Sequence, residues 1–169
     1  MALDLPLPHQ VLTHAHWTLG HEKMSKSIGN VVNPFFALER FGVDTMRYYL
    51  AHDGGIQDDS DYDNSHIIEK YKKGLQGGLG NLTSRIMRGK TWNVRKAVQS
   101  FVNVDLGGNG SPAAYQQGKL KSLADVVEAK MQRLDLGAGL KDIMNTIYTV
   151  STLILTPSRS GHSRIIADY

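Results

Sequence analysis

Residues 64–86 read NSHIIEKYKKGLQGGLGNLTSRI, and the spacing inside that run decides the kind of fold the chain adopts. Ile67, Ile68, Tyr71, Leu75, Leu79, Leu82 and Ile86 recur largely at intervals of three and four, the period of one face of an amphipathic helix. Asn64 can cap its start. Gly74, Gly77, Gly78 and Gly80 each weaken such a helix by ~1 kcal/mol relative to alanine. Glycines retained at that cost mark the close approach of another helix, so the run is expected to pack in a bundle. Asn81 and Arg85 then stand one turn apart on a shared face.

Charge divides sharply around this run. Between His52 and Ser65 there are five aspartates and no lysine or arginine, whereas Glu69 to Lys96 carries eight basic residues and one acid. An acidic turn followed by a basic helix fits an anionic polymer as the partner of the second segment; a solvated helix face is the plainer alternative.

Downstream, Asn103 to Gly118 reads as a loop, with Gly107, Gly108, Gly110 and Pro112 close together. A helix is expected over Lys119 to Leu134 with Leu120, Leu123, Val127, Met131 and Leu134 inward, and another from Ala138 carrying Leu140, Ile143, Met144 and Ile147. The pattern then fades, and Thr149 to Tyr169, rich in threonine and serine, is expected to be a tail with little order. Upstream, Asp44 can cap a short helix over Thr45 to Ala51 that buries Met46, Tyr49 and Leu50. Asn33-Pro34 opens another whose apolar face is Phe35, Leu38 and Phe41, with Gly42 ending it. Gln10 to Thr18 reads as one extended segment with Val11, Thr13, Ala15 and Trp17 on one side, a lone strand whose edges would be unpaired.

Between that strand and the first helix lies Lys23-Met24-Ser25-Lys26-Ser27, followed by Ile28-Gly29-Asn30. Two ammonium groups act as point charges there, while hydroxyls and free backbone N–H groups offer directed hydrogen bonds, the combination that binds phosphate oxygens. By composition alone such a pentamer is more often a solvated surface loop.

The bulk numbers exclude several classes. With 41% hydrophobic and 21% charged residues over 169 positions, the chain has the make-up of an ordinary globular domain. Its longest nearly apolar run, Ile147 to Leu155, falls far short of the ~20 residues that cross a bilayer, so no membrane partner is expected. Pro6 and Pro8 break any helix at the start, and no arginine precedes Arg40, so neither a secretory signal nor a transit peptide is expected within the chain. There are no cysteines, and the seven histidines lack His-Glu-x-x-His spacing, so no metal site is expected.

The order of motifs from Gln10 to Lys96 closely resembles the methionyl-tRNA synthetases, class I enzymes. The residues that carry the resemblance are His14-Ala15-His16-Trp17-Thr18, the KMSKS signature at Lys23 to Ser27, Gly29 to Phe35, Phe41-Gly42-Val43-Asp44, Arg47-Tyr48-Tyr49-Leu50 and Leu79-Gly80-Asn81-Leu82. Wording such as Ala51-His52-Asp53-Gly54-Gly55 is similar to the mitochondrial branch. The pentamer itself is shared with leucine, isoleucine and valine enzymes; the ordered set is what singles out methionine.

The resemblance implies ATP-dependent formation of methionyl-adenylate and transfer of methionine to tRNA. It makes Lys23, Met24, Ser25, Lys26 and Ser27 the ATP-binding loop, with Lys26 the main catalytic group and Lys23 supporting it. It makes Asn81 and Arg85 readers of the CAU anticodon, with Lys72, Lys73, Arg88, Lys90, Arg95 and Lys96 helping to hold phosphates. Without it, Asn81 could serve a helix kink at Gly80 and Arg85 merely solvate the surface. Trp92 could stack on a base or pack against its neighbours. ATP with Mg2+ is the implied cofactor; methionine and the initiator and elongator methionine tRNAs are the implied partners. A monomer in the mitochondrial matrix is implied, with the cytoplasm as the alternative.

Departures from the family set the expected architecture. No HIGH signature and no run of strands and helices for a nucleotide-binding Rossmann sheet precedes the loop, and no counterpart of the Asn-x-Tyr and Pro-Trp elements follows Tyr148. The chain is therefore expected to be mainly α: 1–63 the end of a catalytic domain with the KMSKS loop and little β structure, 64–148 an incomplete anticodon-binding helical bundle, 149–169 a divergent tail. Such a fragment is expected to be catalytically incomplete by itself. A noncatalytic RNA-binding helical module and an inactive remnant are the alternatives.

Overall fold

A computed structural model describes residues 7–56, 58–88, 93–100 and 112–155. It is mainly helical, with one small sheet. Chain order is β1 (Trp17–Leu19), β2 (Glu22–Lys23), α1 (Pro34–Phe41), α2 (Val43–Asp53), β3 (Ser60–Asp61), α3 (Asn64–Lys70), a π-helical segment (Tyr71–Gly80), α4 (Asn81–Met87), α5 (Val94–Ser100), α6 (Pro112–Gln132) and α7 (Leu136–Leu155).

The strand near residue 17 is paired on both edges, where a lone strand with open edges was expected. β2 joins it antiparallel, with Thr18 opposite Lys23, and β3 joins it parallel, with Thr18 opposite Asp61. The partner β3 is two residues long and lies inside the aspartate-rich connection, too short and too polar to announce itself as a strand. The expected inward face is also wrong at its ends: Val11 is 76% exposed, while Thr18 is buried, its hydroxyl satisfied by donating to the Asp61 carboxylate at 2.6 Å.

Helix α1 starts as its sequence indicates. The Asn33 side chain accepts from the Phe35 N–H at 2.9 Å, Pro34 takes the first helical position, and Gly42 follows the helix at φ +81°. Its buried face is not the expected one. Ala37 is buried, whereas Phe35 and Phe36 are exposed and Leu38 is partly so; only Phe41 of the expected set packs against the core. Gly42 precedes α2 directly, so Asp44 lies in that helix's first turn instead of capping it. Met46 and Tyr49 are buried as expected, Leu50 is not.

The core centres on Tyr49, which is fully buried with Ile67, Met46 and Ala37, and with Trp17, Phe41 and Tyr62 around them. Trp17 tilts against the Tyr49 ring at 5.4 Å and Tyr62 meets it edge-on at 6.2 Å, so one side chain ties the sheet to α2. Its hydroxyl donates to the Asp61 carbonyl at 2.9 Å, which satisfies the phenol inside the core.

Residues 64–86 are helical throughout, but not as one α-helix. Asp63, not Asn64, supplies the cap, accepting from the Ser65 N–H at 2.6 Å. From Tyr71 to Gly80 the backbone widens to i→i+5 hydrogen bonding. The buried stripe there is Gly74 and Gly78, while Tyr71 and Leu79 remain exposed. The two glycines admit neighbours: a Cβ at Gly74 would come within 2.7 Å of the Tyr48 hydroxyl, and one at Gly78 within 3.0 Å of the Met144 methyl. Close approach of other helices is thus met, by α2 on one side and α7 on the other.

Two expected loop or tail regions contain helix. α6 begins at Pro112, inside the stretch read as loop, and α7 runs on through Leu155, past Thr149 where the tail was expected to start. Threonines 146, 149 and 152 in α7 donate their hydroxyls to the carbonyls four residues earlier, so the polar residues that blurred the period are absorbed by the helix itself. The remainder of both stretches, 101–111 and 156–169, lies outside the described residues. Leu134, at φ +61°, turns the chain between α6 and α7, and Lys130 pairs with Asp142 across them. Among the described residues no helix is long and apolar enough to cross a membrane.

Candidate functional site: a lysine loop and a helix face

The lysine loop hangs from a two-residue hairpin. Gly20 and His21 both have positive φ, 63° and 64°, as a type I′ turn requires, and this returns the chain so that Lys23 lies beside Thr18. Asp61 fastens the turn from outside: its carboxylate accepts from the Thr18 hydroxyl and from the His21 N–H at 2.8 Å. Those two bonds, the Thr18 bond first, hold its carboxyl below the usual carboxylate range.

Asn30 closes the loop. Its side-chain oxygen accepts from the Ser25 N–H at 2.7 Å and its amide donates to the Lys23 carbonyl at 3.2 Å, so one side chain stitches both ends. The Gly29 N–H bonds back to the Ser25 carbonyl at 3.0 Å, and Gly29 at φ +78° makes the turn that this requires. The Ser25 and Ser27 hydroxyls lie 2.7 Å apart. Met24 is half-buried, and Lys23 and Lys26 are exposed, with no ion-pair partner among the described residues. These bonds tie the two ends of the loop together while both ammonium groups stay exposed, donors that suit carboxylate or phosphate oxygens.

The second set lies on α4. Asn81 is exposed and Arg85 is half-buried one turn on, sharing the face expected of them. Arg85 does not merely solvate the surface: its Nη1 donates to the Ser151 hydroxyl of α7 at 2.6 Å. Asn81 opens α4 where the π-helical segment ends at Gly80, whose angles, φ −62° and ψ −45°, are helical. Lys72, Arg88, Arg95 and Lys96 are exposed. Lys73 is held by Glu69 at 2.7 Å, which raises the ammonium's pKa and lowers the carboxyl's. Lys90 and Trp92 lie outside the described residues. The lysine loop belongs to the sheet and the Asn81–Arg85 face to the helical half, two separate places on one chain.

Asn30, Asp61 and Ser151 were not singled out from sequence, although each holds a candidate group in place. Only Asn30 left a local trace, as an Asn directly after a Gly in a turn. Asp61 and Ser151 act across 40 and 66 positions of chain, a distance over which no local pattern reports.

No group of three histidine, cysteine, aspartate or glutamate side chains able to hold a metal occurs among the described residues.

Residues 1–87, which hold the lysine loop, the small sheet and the helices through α4, match the family described as tRNA synthetases class I (M). The chain is 47% identical over 160 residues to the probable mitochondrial methionine–tRNA ligase of Neurospora crassa, covering 91% of this chain and 26% of that protein. It is 34% identical over 149 residues to the probable mitochondrial methionine–tRNA ligase of Dictyostelium discoideum, covering 88% of this chain and 25% of that protein. In fold it is similar to Mycobacterium tuberculosis methionyl-tRNA synthetase in complex with methionyl-adenylate, with a TM-score of 0.66 at 23% identity, over 91% of this chain and 31% of the other. The chain belongs to the methionyl-tRNA synthetase family and spans about a quarter of the length of the curated relatives above.

Proposed function

We propose that this chain supplies the phosphate-binding loop and the anticodon-reading helix of a methionine–tRNA ligase. The observation that carries the proposal is the loop closed by Asn30, which presents Lys23 and Lys26 exposed and, among the described residues, without an ion-pair partner. In the first step a methionine carboxylate oxygen bonds to the α-phosphorus of ATP while the bond from that phosphorus to the pyrophosphate oxygen breaks. Negative charge gathers on the departing pyrophosphate. Ammonium groups aimed at that charge favour the transition state over the ground state, and only such differential binding speeds the chemistry. Lys26 is the main group and Lys23 supports it; Ser25 and Ser27 offer hydroxyls, and Met24 shapes the loop.

Mg2+ belongs to this reaction as part of the ATP substrate. The loop's ammonium groups suit phosphate oxygens and cannot ligate the cation, which takes oxygen ligands. The second step passes the acyl group to the terminal ribose of tRNA. Asn81 and Arg85 meet the splayed-out CAU bases of the initiator and elongator methionine tRNAs, an amide and a guanidinium suiting Watson–Crick edges. Lys72, Arg88, Arg95 and Lys96 hold phosphates without regard to sequence. The nucleotide-binding Rossmann sheet and the methionine pocket belong to the remaining family length, so these 169 residues alone do not complete the reaction. The protein acts as a monomer, and its mitochondrial relatives support a place in the mitochondrial matrix.

Amino-acid-dependent exchange of pyrophosphate into ATP tests the reading, in a protein of full family length carrying this chain. Methionine should support exchange, and leucine, isoleucine or valine should not. Equal exchange with leucine would contradict the methionine assignment. The alternative, an RNA-binding module without catalysis, requires no exchange with any amino acid while tRNA binding persists.

A further inference from the structure

Helix α7 faces the π-helical segment and α4 with Met144, Tyr148 and Ser151, residues four and three apart and so on one side of the helix. Met144 and Tyr148 fill the space left by Gly78. The Tyr148 hydroxyl donates to the Lys73 carbonyl at 2.7 Å, inside the π-helical segment, and the Ser151 oxygen accepts from Arg85 Nη1 at 2.6 Å. Ser151 is buried while Arg85 is half-exposed, so the bond ties one N–H donor of the guanidinium's five to α7. Each π turn takes in about one residue more than an α turn, so the face that α4 presents depends on how far the wide segment persists. Tyr148 and Ser151 together fix that phase from outside.

We propose that Ser151 is a positioning residue for anticodon discrimination: it sets the rotamer of Arg85, and through it the edge offered to an RNA base. This rests on the reading of Arg85 as an anticodon contact. The long, flexible arginine side chain is thereby ordered before RNA arrives, and a planar fork held in one orientation rejects a base whose edge does not match. Asn81, whose amide has no side-chain partner among the described residues, is left to adapt to the neighbouring base.

The test is equilibrium binding of the 169-residue chain to an anticodon stem-loop RNA bearing CAU and to one with that triplet changed, read as the ratio of the two affinities. Ser151→Ala should reduce the ratio by roughly tenfold, the effect of losing one hydrogen bond to a charged group, mainly by weakening the CAU complex. Ser151→Thr keeps the hydroxyl and should retain the wild-type ratio. In an Arg85→Ala background, Ser151→Ala should change the ratio no further. Should Ser151→Ala lower only the melting temperature, or weaken both RNAs alike, the positioning role is overturned. An unaltered ratio in Arg85→Ala, or no CAU preference in the wild-type chain, overturns the anticodon reading of Arg85 and the role of Ser151 with it.

Discussion

Lys26 and Asp61 illustrate two ways in which single residues make this loop. Lys26 needs to be free; Asp61 needs to be bound. Because the folded-state pKa of Asp61 is depressed by the Thr18 and His21 bonds, its contribution to stability is present above the ordinary carboxylate value, about 3.9, and is lost as pH falls through the lower folded value. Asp63, depressed by its bonds to Ser65, acts in the same direction. Thermal melting from neutral pH down to about 2 should therefore show a steeper acid loss in the wild type than in Asp61→Asn. Parallel curves for the two would mean that the Asp61 charge does not hold the turn. In the sequence Asp61 was legible only as one of five aspartates in an acidic connection, because hydrogen bonding to residues forty positions away leaves no local pattern.

Elements were legible where local chemistry decides them. Asn33-Pro34 starts α1 because the cap and the fixed proline φ are properties of adjacent residues. β3 and the inward face of α1 were not legible, because each is set by what lies across the core: Tyr49 and Trp17 take the centre, and Phe35 and Phe36 are left outside. The wide π turn was half-written in the sequence. Its glycines signalled close approach correctly, but the leucines at four-residue intervals read as the buried stripe when the glycines are. Gly137, at the start of α7, is a further close approach, since a Cβ there would stand 2.8 Å from the His52 carbonyl at the end of α2. Gly137→Ala should cost about 1–3 kcal/mol in urea unfolding, because α7 must move off α2 to admit the methyl group. An unchanged midpoint would show that the two helices shift freely.

For the whole molecule, the chain joins a lysine loop on a small sheet to a basic helical half through one aromatic core. Eight basic residues against one acid over Glu69 to Lys96 make the proposed RNA binding by that half electrostatic in large part. Affinity for tRNA should fall steeply and log-linearly with salt, and Lys72→Ala combined with Arg88→Ala should flatten the slope by about two counterions. An affinity that does not change with salt would leave the helical half without its proposed partner. The loop's place in catalysis is tested most directly by methionine-dependent pyrophosphate exchange in a protein of full family length carrying Lys26→Ala. Loss of one preorganised donor to a developing charge elsewhere costs a factor of about 10²–10³ in rate, and a comparable fall, with methionine binding retained, is the expected result. Exchange at the wild-type rate would contradict the assignment of the loop to the departing pyrophosphate.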